Sequence, residues 1–190
     1  MADLPQVHGG QRITVARWLG IAATLVLGVA AIWLFARILG LRSPLFAFEL
    51  HFVLMAVAAS IDRLAAPELR SRWFDVGAGE VRIFERLGVH AFRRFLGAIG
   101  WNALIRDKRM FDGTRATLAS YERATRHGEN AHIWLFVVVL APIAWALWKG
   151  WWDAAFWLGS MSVLFHVYPV MLQRTMRARL TALLRRVRGE

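Results

Sequence analysis

The chain has 190 residues, of which 57% are hydrophobic and ten are tryptophan, yet its formal net charge is +11. A soluble core of this size cannot hide so much apolar surface, which excludes an ordinary soluble globule, and the basic excess points to anionic lipid headgroups before nucleic acid. With no cysteine there is no disulfide framework, no thiolate metal site and no thiol nucleophile.

Residues 1–15 read as a polar N-terminal tail carrying Pro5 and Gly9-Gly10. Residues 16–61 hold the first two predicted spans. The uncharged run 18–36 lies between Arg12 and Arg17 on one side and Arg37 and Arg42 on the other. It is long enough to cross a bilayer core of roughly 30 Å, and every backbone group there must be paired, so a helix is the expected form. It is too long for a signal-peptide core and is followed by no small-residue cleavage site. Ser43-Pro44 opens the second run, proline being well tolerated at a helix start. Glu49 and His51 lower its hydropathy, but spanning remains the favoured reading over a re-entrant or bundle-packed segment.

Composition changes over residues 62–130, which hold 13 of the 24 basic and 9 of the 13 acidic residues. Apolar residues recur at helical spacing, as in Val81, Phe84, Leu87 and Phe92, Phe95, Leu96, which predicts amphipathic helices lying on the membrane or the bundle. Gly97, Gly100 and Asp112-Gly113 mark breaks, and a further segment over residues 114–126 leads into the third span. Residues 131–173 predict a transmembrane hairpin, with apolar runs at 131–148 and 154–172 joined at Lys149-Gly150. Trp148, Trp151 and Trp152 place that turn at a headgroup boundary. Residues 174–190 form a basic tail with six arginines.

The fold class expected is therefore all-α and integral to the membrane, with four transmembrane helices and amphipathic helices on one side. The excess of positive charge in the middle segment and tail puts those parts and both termini in the cytoplasm.

Polar groups at membrane depth are expensive and need a reason. Glu129 and His132 are three apart at the mouth of the third span and share a helical face. A carboxylate beside an imidazole raises its basicity, the arrangement a general base uses to deprotonate a hydroxyl. The plainer reading is a helix first turn that favours an acid. His51, His132 and His166 fall at comparable depth and are expected either to line one cavity or to form a bis-histidine haem pair. Glu49 is expected to face the bundle or find a partner. No Gly-x-Ser-x-Gly elbow, phosphate-binding loop or His-Glu-x-x-His pair is present, and metal binding by His127, Glu129 and His132 is only weakly signalled.

Three stretches carry a resemblance. They are Phe84-Glu85-Arg86-Leu87-Gly88-Val89-His90-Ala91-Phe92-Arg93-Arg94, then Thr125-Arg126-His127-Gly128-Glu129-Asn130-Ala131-His132, then Tyr168-Pro169-Val170-Met171-Leu172-Gln173-Arg174-Thr175-Met176-Arg177-Ala178-Arg179-Leu180. Together, over roughly residues 72–184, they resemble the glycosyl-4,4'-diaponeurosporenoate acyltransferase family. The chain departs at Thr175-Met176, where the family usually has Tyr-Asn, and at His166, where it usually has Asn. The resemblance implies transfer of a fatty acyl group to a sugar hydroxyl of a membrane-embedded glycolipid or carotenoid glycoside. It implies an acyl donor and such an acceptor as partners besides the bilayer, with no nucleic acid, no metal and no cofactor. On this reading His132 is the base and Glu129 its orienter. Glu85, His127, His166, Gln173, Arg174 and Arg177 bind substrate, the arginines taking the donor's anionic part or the sugar. A non-catalytic protein whose arginines only anchor it to anionic lipid is the competing reading.

Overall fold

The structure is a computed structural model that describes residues 14–65, 67–101, 114 and 117–188. The tail over residues 1–13, the Asp112-Gly113 break with the rest of 102–113, and residues 115 and 116 of the segment leading to the third span lie outside the described residues. Among those described the protein is all helical, with no strand. The elements in order are α1 (Val15–Leu39), α2 (Pro44–Ala65), a short 3₁₀ turn (Arg72–Phe74), α3 (Ala78–Arg86), α4 (Val89–Ala98), α5 (Leu118–Trp148), α6 (Trp152–Ser162), a π-helical turn (Val163–Val167) and α7 (Tyr168–Arg188).

Four helical stretches are long and apolar enough to cross a membrane: α1, α2, α5 and the continuous rod Trp152–Arg186. The second run, weakened by Glu49 and His51, is among them. α1 packs on α2 through a stripe of small residues. A methyl group on Gly20 would sit 3.3 Å from Leu64, and one on Gly28 only 2.5 Å from Val57. Such spacing lets two apolar helices approach where lipid offers no hydrophobic drive. The rest of α1 turns outward, with Leu25, Val26, Val29 and Trp33 exposed.

α5 is longer than a bilayer needs. At 1.5 Å per residue its 31 residues span about 46 Å. The predicted segment before residue 131 is thus the same helix as the third span, continued beyond the apolar zone. There Leu118 and Tyr121 pack on Leu180 of α7. At the other end, Trp145 and Trp151 meet edge to face at the turn, and Arg42 bonds Asp153 at 3.0 Å, tying the α1–α2 loop to the start of α6. Phe46, Ala47, Leu50 and Leu158 form the core between α2 and α6.

The amphipathic helices α3 and α4 lie against α7 at the arginine-rich end. Gly88 joins them at φ 86°, a left-handed conformation that costs glycine nothing. Residues 67–77, which connect α2 to α3, run mostly without regular structure and are held by three arginines that reach their carbonyls. Arg126 bonds the Leu69 carbonyl at 3.1 Å, Arg174 the Trp73 and Asp75 carbonyls at 3.1 and 3.2 Å, and Arg177 the Phe74 carbonyl at 2.8 Å.

Candidate active site

The sequence singled out Glu129 and His132 as partners. The structure gives each a different one. Glu129 is fully buried, with one carboxylate oxygen accepting from Arg174 at 2.5 Å and the other from Arg177. Arg174 also grips Glu80 with two donors. Two guanidinium and two carboxylate groups thus form a neutral, charge-assisted network linking α3, α5 and α7, completed by the carbonyls of residues 73–75. Such a network is tolerable in a low-dielectric setting because every charge is matched. Glu129 makes no hydrogen bond to His132. Three residues on a helix place two side chains on one face but do not force them to touch, and guanidinium forks outcompete an imidazole for a buried carboxylate.

The same geometry relocates the expected roles of Arg174 and Arg177. Arg177 is 1% exposed and cannot anchor the chain to lipid. The donors of Arg174 are directed at protein carbonyls and carboxylates, so it does not present a fork to an incoming phosphate. Glu85 lies at the surface, 3.2 Å from His90 and 3.8 Å from Arg179.

The three histidines do converge. His132 Nδ1 is 3.4 Å from His166 Nδ1, and His166 stacks on His51 with ring centroids 5.0 Å apart and planes 29° apart. His51 and His166 are wholly buried, so His166 stands behind His132 and does not itself reach a cavity. Face-to-face stacking of one pair and a hydrogen-bond distance in the other leave no space for a porphyrin between these rings. His51 donates from Nδ1 to the Ala47 carbonyl at 2.6 Å, while the Nε2 atoms of His51 and His166 and the Ser162 hydroxyl are buried without a partner.

The π-helical turn positions His166. It inserts one extra residue per turn at Val163–Val167, a feature found often at functional sites. Pro169 lies four residues past Phe165 and has no N–H to give its carbonyl, and that carbonyl lies against both His132 and His166. The Tyr168-Pro169 pair was visible in the sequence, but the extra residue in the turn was not.

Two cavities share a wall at His132. One, of about 770 Å³, is a cleft at the arginine-rich end whose lining is mostly apolar, with Met55, Ala58, Ala59, Ala131 and Leu135, and carries the polar side chains of Asp62, Arg63, Ser120, Arg123 and His127. His127 and Asp62 pair across it at 2.8 Å. The other, of about 510 Å³, is an apolar chamber whose lining includes Phe48, Phe52, Phe92, Phe95 and Phe165. Met55, Trp101, Ala124, Gly128 and His132 border both. Gln173 lies on the chamber wall over Gly128, where an added methyl would come within 2.7 Å of its amide nitrogen. Glycine at 128 is what lets the amide approach α5 so closely. Met176, at a position where the resembled family has asparagine, also lines the chamber, and its sulfur accepts from the Tyr121 hydroxyl at 3.6 Å. Glu49 is half-buried on α2 and has no hydrogen-bond or ion-pair partner among the described residues.

The glycosyl-4,4'-diaponeurosporenoate acyltransferase family matches residues 70–186, covering α3 to α7 and the connection before them. No individual curated protein and no solved structure gives a significant match. With more than half of its length matched and four helices able to cross a membrane, the chain belongs to the glycosyl-4,4'-diaponeurosporenoate acyltransferase family of membrane acyltransferases.

Proposed function

We propose that this protein transfers a fatty acyl group to a hydroxyl of a glycolipid or glycosylated carotenoid, at the cytoplasmic leaflet of a bacterial inner membrane. The observation that carries this reading is the place of His132 on the wall between a cleft that carries Asp62, Arg63, Arg123 and His127 and an aromatic-lined chamber with no charged side chain among its described lining residues other than His132. Acyl transfer to a sugar needs such a junction, because its substrates have one end that prefers hydrocarbon and one that prefers water. The acyl chain occupies the chamber, and the sugar of the acceptor enters the cleft.

His132 is the base. With Nδ1–H donated to His166, its Nε2 is left to accept the proton of the acceptor hydroxyl. The hydroxyl oxygen forms a bond to the acyl carbonyl carbon, the bond from that carbon to the donor's leaving group breaks, and His132 returns its proton to the leaving group. His166 takes the orienting role first expected of Glu129. The Gln173 amide makes no hydrogen bond among the described residues and is placed to steady the carbonyl oxygen as charge develops. Glu129, Arg174, Arg177 and Glu80 hold the frame on which α5 and α7 present these groups.

The test is His132→Gln in nanodiscs, with transfer from a radiolabelled palmitoyl thioester to a glucosylated lipid acceptor. Loss of a general base costs about 10²–10⁴-fold in rate. A loss of that size with an unchanged melting temperature is expected. Turnover within a few-fold of the parent protein would remove His132 from the chemistry.

A further inference from the structure

Arg63, near the end of α2, and Arg123, on the projecting part of α5, both line the cleft that ends at His132. Among the described residues neither has a carboxylate partner. Arg63 makes no hydrogen bond there, and Arg123 bonds only the Ser120 hydroxyl, at 3.2 Å. The arginines that build the frame behave differently, since Arg126, Arg174 and Arg177 are each matched by a glutamate. The acid of the cleft, Asp62, is hydrogen-bonded to His127 and not to either arginine. The cleft therefore carries two guanidinium groups with no carboxylate partner among the described residues, and it ends at the proposed base.

We propose that Arg63 and Arg123 form a phosphate-binding site for the acyl donor, which is a phosphate-bearing carrier whose acyl chain lies in the adjoining chamber. Guanidinium groups bind phosphate through parallel N–H donors, and two of them flanking a cleft suit a diphosphate or phosphodiester. The shared wall of Gly128, Ala124 and His132 is where the scissile carbonyl of such a donor falls when phosphate and chain are both held. The phosphate can belong to a soluble thioester carrier or to a phospholipid of the bilayer. This proposal rests on the acyl-transfer reading and goes further by naming where the donor is held and what group it carries.

The experiment compares two donors in phosphatidylcholine nanodiscs. One is palmitoyl-coenzyme A, which carries phosphates. The other is the palmitoyl thioester of N-acetylcysteamine, which carries none. The readout is the ratio of the two dissociation constants. In Arg63→Gln/Arg123→Gln the preference for palmitoyl-coenzyme A should fall about tenfold or more, because two charge-assisted contacts are lost. The Arg63→Lys/Arg123→Lys variant keeps the charge and should retain part of the preference, which covers the case in which the glutamine variant does not fold. An unchanged ratio in the double glutamine variant overturns the proposal. Phosphatidylglycerol nanodiscs separate the sources. Competition with palmitoyl-coenzyme A in the parent protein, lost in the variant, assigns the site to a phospholipid phosphate, whereas no competition assigns it to the soluble carrier. Because the readout is binding, it stands or falls apart from turnover, which the uncharged thioester tests separately.

Discussion

Replacing Glu129 by glutamine separates a structural from a chemical role for the most buried acid in the chain. Gln keeps the shape of the side chain and one acceptor oxygen but removes the negative charge. Arg174 still has Glu80. Arg177 does not: it is 1% exposed, its Nη1 already lacks a partner, and the Phe74 carbonyl is its remaining strong contact. An uncompensated buried charge of this kind costs about 3–5 kcal/mol. The retained amide oxygen argues for the lower end, so about 3 kcal/mol is expected by the same reasoning. For a chain of this length that lowers the melting temperature by on the order of 10 °C. Thermal unfolding in detergent, followed by tryptophan fluorescence, measures it. The double variant Glu129→Gln/Arg177→Met removes both charges and should lose less than the sum of the two single changes, because residues in one network couple. A Glu129→Gln protein that melts like the parent but makes no acylated product would refute this reasoning. It would return Glu129 to the role of orienting His132.

Two further outcomes are expected. Gly28→Ala places a methyl 2.5 Å from Val57, a short branched side chain that cannot swing away, and should destabilise the α1–α2 pair by about 1–3 kcal/mol in the same unfolding assay. A reporter fused at Gly150 should read external and one at Arg188 cytoplasmic; the opposite pattern would invert the assignment of the arginine-rich end and move the proposed site to the other leaflet.

The spans were legible because hydropathy over some twenty residues is a strong signal that tertiary contacts rarely overturn. The convergence of His51, His132 and His166 was legible for a related reason: helices crossing a slab of fixed thickness turn position in sequence into depth. What depth cannot give is rotation about the helix axis. His51, His132 and His166 were placed at one level, but nothing in the sequence said that His166 would lie between the other two. The partner of Glu129 was misjudged on the same ground. Its neighbour in sequence was His132, and its partners in space come from α7, some 45 residues on. Arg174 and Arg177 were expected to face substrate or, on the competing reading, anionic lipid, because charge runs usually are solvated. Arg177 is instead the largest fully buried side chain among those described. The cleft with Arg63 and Arg123 joins elements 60 residues apart and has no local signature.

Two of the three residues at which the chain departs from the resembled pattern lie at or beside the proposed site. His166 stands directly behind His132, and Met176 lines the apolar chamber. The residues that frame the site do not depart: Glu129, Gln173, Arg174 and Arg177 keep the pattern's identities, and the structure gives three of them a common task in the neutral network. Thr175 departs too, but it is buried and bonds the Met171 carbonyl at 2.8 Å, a local contact within α7. A sequence that keeps its frame and changes its chamber preserves the fold while altering what the chamber accepts. Exchanging asparagine for methionine there removes an amide that would need a polar partner and replaces it with a flexible thioether that adapts to an apolar chain. Imidazole in place of an amide behind His132 adds a second ring nitrogen, Nε2, which is buried and without a partner among the described residues. These changes lie at or beside the proposed site, and none falls in the ion-pair network that ties α3, α5 and α7 together.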